Sequence, residues 1–245
     1  MSKQWLWARR PRPAAEARLV CLPYAGGAAA AYRAWHQLAP GHVEVCPVEL
    51  PGRGLRMGEE PYRRLPPLVE GLADALDPLL DRPFALFGHS MGGLIAFELA
   101  RLLRRRGRPE PSHLFVSASP APDRPREPTV HDAPDAELKA RLQAFNGTPA
   151  EVLDNEELME LALPVIRADF AVLETYEFAE EPPLDTPLTV FGGVDDRTVR
   201  PDDLVGWREH ATTVDLRMLP GDHFFIDELA PELIGMITTR IAPDR

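Results

Sequence analysis

The chain has 245 residues, enough to bury one large core, and strand and helix signals alternate along it, so a single α/β domain over residues 1–245 is expected. Asp and Glu outnumber Lys and Arg by 38 to 27, a net charge of -11 that argues against nucleic acid as a partner and for solubility. No apolar run approaches transmembrane length, and the basic start MSKQWLWARRPRP holds too short an apolar stretch for a signal-peptide core, so a cytoplasmic protein with no membrane partner is expected.

In chain order, the apolar runs RLVCLP, VEVCPVEL, FALFG, HLFVSA, LTVFGG and VDLRMLP read as strands, most of them buried on both faces as parallel strands are. The first two carry the only cysteines, Cys21 and Cys46, expected as reduced core thiols and not as a disulfide. Helical patterns at 30–38, 65–80, 91–106, 202–210 and 231–241 lie between or after the strands. That alternation predicts a doubly wound, mostly parallel sheet with its functional residues at the carboxyl ends of the strands. The 27 prolines gather in connections such as SPAPDRPREP and EEPPLDTP and do not interrupt the pattern.

The alternation breaks once, between HLFVSA and LTVFGG, where residues from about 120 to 183 form an insertion with helices of its own. Asp135 to Phe145 places Leu138, Leu142 and Phe145 on one face, and Asn155 to Tyr176 carries Leu158, Leu161, Leu163, Ile166, Phe170 and Leu173. The insertion reads as a helical cap or lid whose apolar faces enclose a chamber. A packing appendage without a role in binding is the alternative.

FALFGHSMGGLIAFELARLL, from Phe84, places Gly88, Ser90 and Gly92 in a GxSxG pattern between a strand and an amphipathic helix. Such a turn lifts a serine hydroxyl off the sheet, and residues without side chains beside it let the two backbones approach. A serine hydroxyl needs a base. His89 points away from its neighbour in so tight a turn and is read as packing. His223 in LPGDHFF follows the last strand through a Gly221 turn and is the best placed of the seven histidines.

Asp195 and Asp196 follow LTVFGG and offer the acid that fixes the base's tautomer. Asp196 is preferred because it lies nearer the DRTV loop, with Asp195 as the alternative. The order Ser90, Asp196, His223 is that of α/β-hydrolases. Oxyanion donors are expected from the N–H of Met91, after the serine, and from Ala25 in the small-residue loop CLPYAGGAAAAY. Neither a GxGxxG fingerprint, a Walker lysine, HExxH nor paired CxxC is present, so no nucleotide, cofactor or metal is expected.

The stretches RLVCLPYAGGAAAAYRAW, VELPGRG, FGHSMGG, LQAFNGTP, ELMELALPVIRADFAVLETY, FGGVDD and GDHFF together resemble the type II, or editing, thioesterases of polyketide and nonribosomal peptide synthase clusters. The resemblance implies an α/β-hydrolase fold with a lid, Ser90 as nucleophile, His223 as base, Asp196 as its partner, and Met91 and Ala25 as the oxyanion hole. It further implies hydrolysis of acyl thioesters on the phosphopantetheine arm of acyl or peptidyl carrier proteins, which would be the partners, with no cofactor of the enzyme's own. Tyr24 departs from the histidine frequent there. A monomer is expected.

Carrier proteins are usually acidic, so local arginines in PGRGLRMGEEPYRR, above all Arg53 and Arg56, and in RLLRRRG are the expected docking charges on a chain of net charge -11. Two other readings exist: a general carboxylesterase or lipase, and a catalytically silent acyl-binding module on the same fold.

Overall fold

All six apolar runs form strands in the computed structural model, which describes residues 5–6, 8–124, 130–145 and 155–241. They are β1 (Ala17–Leu22), β2 (Val43–Pro47), β3 (Phe84–His89), β4 (His113–Ser117), β5 (Leu188–Gly193) and β6 (Val214–Leu219). The sheet order is β2-β1-β3-β4-β5-β6 and every neighbouring pair is parallel. β1 is flanked by β2 and β3, so the winding reverses there and opens a crevice between the carboxyl ends of β1 and β3.

Side chains alternate across this sheet into two cores. Val20, Leu22, Leu86, Leu114 and Val190 face α1 (Leu65–Leu76) and α2 (Met91–Arg105). Leu19, Cys21, Phe87, Phe115 and Phe191 face the other way, towards Trp35 and a C-terminal helix at Ala230–Ile241. β1 to β5 are buried throughout, as runs apolar on both faces require, whereas β6 closes the sheet as a half-exposed edge. Two predicted helices are shorter than their patterns: 30–38 divides into a 3-10 turn at Ala29–Tyr32 and one turn at Trp35–Leu38, and 202–210 into Pro201–Val205 and a 3-10 turn at Gly206–Glu209. Cys21 and Cys46 are free and buried, and burial raises both thiol pKa values, that of Cys46 to about 12.

The insertion contains α3 (Asp135–Phe145) and α4 (Glu156–Glu174). Their apolar faces pack on each other: Leu138 and Leu142 meet Met159, Leu163, Ile166 and Phe170 in a cluster completed by Val130. Those residues form a small core of their own among the described residues, and Ile166 also reaches the loop after β1, where its Cγ1 would stand 3.1 Å from a Cβ on Gly26. The side chain of Phe145 and most of the LQAFNGTP stretch lie outside the described residues. Among the described residues no helix is long and apolar enough to cross a membrane.

The joint between β3 and α2 explains its glycines. A Cβ on Gly88 would overlap the Gly92 carbonyl, and one on Gly92 would overlap the Leu22 carbonyl of β1. Backbone atoms cannot yield as a flexible side chain does. Gly88→Ala is expected to cost about 3 kcal/mol or more, visible as a lowered urea midpoint or loss of soluble protein.

Candidate active site

Ser90 sits between the last residue of β3 and the first of α2 at φ 53°, ψ -116°, a conformation L-residues rarely adopt. Its N–H donates to the Ser117 carbonyl at 2.7 Å and its carbonyl accepts from Gly93 at 2.9 Å, which fixes the elbow to the end of β4. The residue is half-buried. Met91 heads α2, so its N–H precedes the helical ladder and faces the same end of the sheet.

The β1 loop supplies the opposite wall of the crevice. Gly27 N–H donates to the Tyr24 carbonyl at 2.9 Å, closing a turn with Ala25 and Gly26 at its centre, and Gly26 takes φ +74° there. Ala25 is half-exposed. The Tyr24 ring stands edge-on to His89 and Phe224, with centroids 5.8 and 5.2 Å away, so this side chain packs the floor of the site.

His223 follows β6 through Gly221, whose φ of +110° suits glycine. Gly193 at the end of β5 would place a Cβ 2.5 Å from the Asp222 carbonyl, so the β5 and β6 loops touch because no side chain intervenes. The His223 Nδ1 lies 2.7 Å from Asp196 Oδ2, and both side chains are more than nine-tenths buried. The His223 ring centroid is 5.3 Å from that of His89, the residue before Ser90.

Asp196, not Asp195, meets the imidazole. Asp195 is exposed, and its N–H donates to the Gly221 carbonyl at 3.0 Å. The other oxygen of Asp196, Oδ1, accepts from Thr198 N at 2.8 Å, Thr198 Oγ1 at 2.7 Å and Val199 N at 3.0 Å. Burial by itself pushes this carboxyl's pKa up, but the hydrogen bonds from His223 and Thr198 outweigh it and bring the value down to about 2. Thr198 Oγ1 is also 2.9 Å from His223 Nδ1. The sequence reading overlooked Thr198, although an Asp two residues before a Thr is a recognisable local-turn signal.

His89 is fully buried, its Nδ1 2.9 Å from Ser117 Oγ, and desolvation holds its pKa well below the ordinary value. It is therefore a neutral packing residue.

Arg53 and Arg56, the arginines most expected to dock a partner, are not free surface charges, whereas Arg63 and Arg64 of the same stretch are exposed. Arg53 and Arg56 are 7% and 5% exposed. Arg53 forks onto Asp169 of α4 at 2.7 and 2.8 Å. Arg56 binds Glu59 and the Glu49 carbonyl and lies 4.2 Å over the Trp5 ring. In RLLRRRG, Arg101, Arg104 and Arg105 converge on Glu181, and Arg106 pairs with Asp74. Some of these acidic partners are distant in sequence, Asp169 for Arg53 and Glu181 for Arg101, Arg104 and Arg105, whereas Glu59 is three residues from Arg56. A groove of about 630 Å³ lies beside this second cluster, lined by residues including Pro66, Val69, Leu102 and Tyr176, and none of the residues proposed for catalysis borders it.

The chain resembles known proteins over nearly its whole length. The thioesterase domain family model matches residues 17–241. Gramicidin S biosynthesis protein GrsT of Aneurinibacillus migulanus is 42% identical over 240 residues, covering 97% of this chain and 94% of that protein. The solved structure of RedJ, a thioesterase from the prodiginine biosynthetic pathway in Streptomyces coelicolor, superposes with a TM-score of 0.89 at 41% identity, covering 94% of this chain and 92% of that one. YbtT, a type II thioesterase from the yersiniabactin nonribosomal peptide and polyketide pathway, does so with a TM-score of 0.86 at 34% identity, over 96% of each chain. The chain belongs to the thioesterase family, among the type II enzymes of nonribosomal peptide and polyketide pathways.

Proposed function

We propose that the protein clears acyl groups from the phosphopantetheine arm of acyl or peptidyl carrier proteins, with Ser90 as nucleophile, His223 as general base and acid, and Asp196 as the carboxylate behind it. Met91 and Ala25 N–H groups are the oxyanion donors. The observation that carries this reading is the 2.7 Å pairing of His223 Nδ1 with an Asp196 oxygen, beside the strained Ser90 elbow. With Nδ1–H held by the carboxylate, Nε2 is the basic nitrogen, the one the serine proton requires.

Ser90 Oγ attacks the thioester carbonyl carbon as His223 Nε2 takes its proton, and the carbonyl oxygen becomes an oxyanion. Collapse breaks the C–S bond, and the imidazolium returns its proton to the pantetheine sulfur, which leaves as a thiol. Water, deprotonated by the same nitrogen, then attacks the acyl-serine; the acid departs and Ser90 recovers its proton. The enzyme needs no cofactor for this, since the phosphopantetheine belongs to the partner. It acts as a monomer, which light scattering checks.

Incubation with a panel of acyl-loaded carrier proteins, with released acids followed by mass spectrometry, tests the substrate class. The expected result is acid release from carrier-bound thioesters with much slower turnover of matched oxygen esters. Faster oxygen-ester cleavage points to a general esterase instead.

A further inference from the structure

We propose that Asp169, on the helix of the insertion, is a positioning residue for the oxyanion donor, so that seating α4 on the sheet and setting the Ala25 N–H are one event. The inference rests on the oxyanion assignment made above. Asp169 is 3% exposed, and its Oδ2 accepts the Gly26 N–H at 2.8 Å as well as Arg53 Nη1 at 2.8 Å, while Oδ1 takes Arg53 Nη2 at 2.7 Å. Arg53 Nη1 also donates to the Gly27 carbonyl at 2.8 Å. One buried pair thus grips both sides of the turn: an N–H at Gly26 and a carbonyl at Gly27.

The turn converts that grip into an orientation. Gly27 N–H bonds the Tyr24 carbonyl, and that carbonyl shares its peptide plane with the Ala25 N–H. In a trans peptide the N–H points opposite the C=O, so a carbonyl turned inward to Gly27 aims the Ala25 N–H outward. A positive φ at the third residue, here Gly26 at +74°, is what such a turn demands. Ile166, one turn before Asp169, closes the arrangement: its Cγ1 would stand 3.1 Å from a Cβ on Gly26. A second contact from the same helix face reaches the Arg53 loop, where Val165 Cγ2 would stand 3.3 Å from a Cβ on Gly52.

If α4 withdraws, the Gly26 N–H loses its acceptor and Arg53 is left as a buried charge without its counter-ion. The turn then has no reason to hold its angle. A misplacement of about 1 Å in a donor can cost about 100-fold in rate. A pair that only fastened the insertion would affect stability and leave each folded active site as fast as before.

The test compares parent, Ser90→Ala, Asp169→Asn and Arg53→Lys on a soluble acyl-pantetheine thioester, with competent sites counted by fluorophosphonate labelling taken to completion. For Asp169→Asn, kcat per labelled site is expected to fall about 10- to 100-fold with KM changed by less than about threefold. Affinity for a trifluoromethyl ketone analogue, which forms an oxyanion on Ser90, should weaken by the same factor as kcat/KM. Affinity for a thioether analogue without a carbonyl should not move. If Asp169→Asn does not fold, Arg53→Lys decides, with an expected loss of about 5- to 10-fold in the same pattern because the charge stays and the fork is lost.

Unchanged kcat per labelled site, or a loss in kcat without the matching loss of ketone affinity, overturns the proposal. Parent-like turnover by Ser90→Ala would instead bring down the catalytic reading beneath it, so the two failures are distinguishable.

Discussion

Replacing Ser90 with alanine is expected to lower acid release from an acyl-pantetheine thioester by at least about 10⁴-fold, with the protein still folded. The size of the loss follows from the chemistry: without Oγ there is no acyl-enzyme, and what remains is substrate binding and any donors acting on direct attack by water. The fold should survive because alanine keeps the Cβ and the backbone bonds that fix the elbow, Ser90 N–H to Ser117 and Gly93 N–H to Ser90, involve no side chain. Alanine is no better suited than serine to φ 53°, so the thermal midpoint should stay close to the parent's. Ser90→Gly is the informative companion. It is equally inactive, yet relieving the backbone strain, of order 1–3 kcal/mol, should raise the midpoint. Intact-protein mass spectrometry after mixing with substrate should show an acyl adduct on the parent and none on either variant. Parent-like turnover by Ser90→Ala removes the nucleophile assignment.

What one chain reveals about itself depends on how far apart the interacting residues lie. Strands apolar on both faces and helices with one apolar stripe are local patterns, and all six strands were legible from them, together with α1, α2 and the break that marks the insertion. The elbow was legible from its local spacing, and Gly88 answers to a contact four residues on, the Gly92 carbonyl, although Gly92 itself answers to Leu22 of β1. Pairings across the molecule were not. Arg53 and Asp169 are 116 residues apart, and nothing in PGRG announces that its arginine is buried under a helix of the insertion. Nor did the helical patterns of α3 and α4 announce which of their apolar residues meet each other, as Leu138 and Leu142 meet Met159 and Leu163. The choice between Asp195 and Asp196 lay between these extremes: the Thr198 and Val199 N–H groups that collect on Asp196 Oδ1 are a short-range signal, whereas the imidazole that completes the choice arrives 27 residues later.

Asp196→Asn is expected to reduce kcat about 10⁴-fold while leaving the geometry nearly intact, by fixing the wrong tautomer of His223. Oδ1 is surrounded by three donors, from Thr198 N, Thr198 Oγ1 and Val199 N, so the asparagine must place its oxygen there. Its NH₂ then faces His223 Nδ1, where the carboxylate had accepted a proton. Facing a donor, Nδ1 carries the lone pair, the proton moves to Nε2, and the nitrogen that must accept the serine proton no longer can. Flipping the amide restores the tautomer only by setting an NH₂ against three donors. The variant should bind the thioether analogue normally. In the parent the carboxyl, with a pKa of about 2, stays ionised at neutral pH, so the accepting oxygen that sets the tautomer is always present there. The same depression gives the stability signature its sign. A carboxyl lowered from 3.8 to about 2 on folding adds stability that is present above pH 3.8 and lost as the pH falls towards 2. Urea midpoints of parent and Asp196→Asn should therefore differ above about pH 4 and converge as the pH falls towards 2. A pH-independent gap, or near-parent kcat, contradicts the role assigned to this carboxylate.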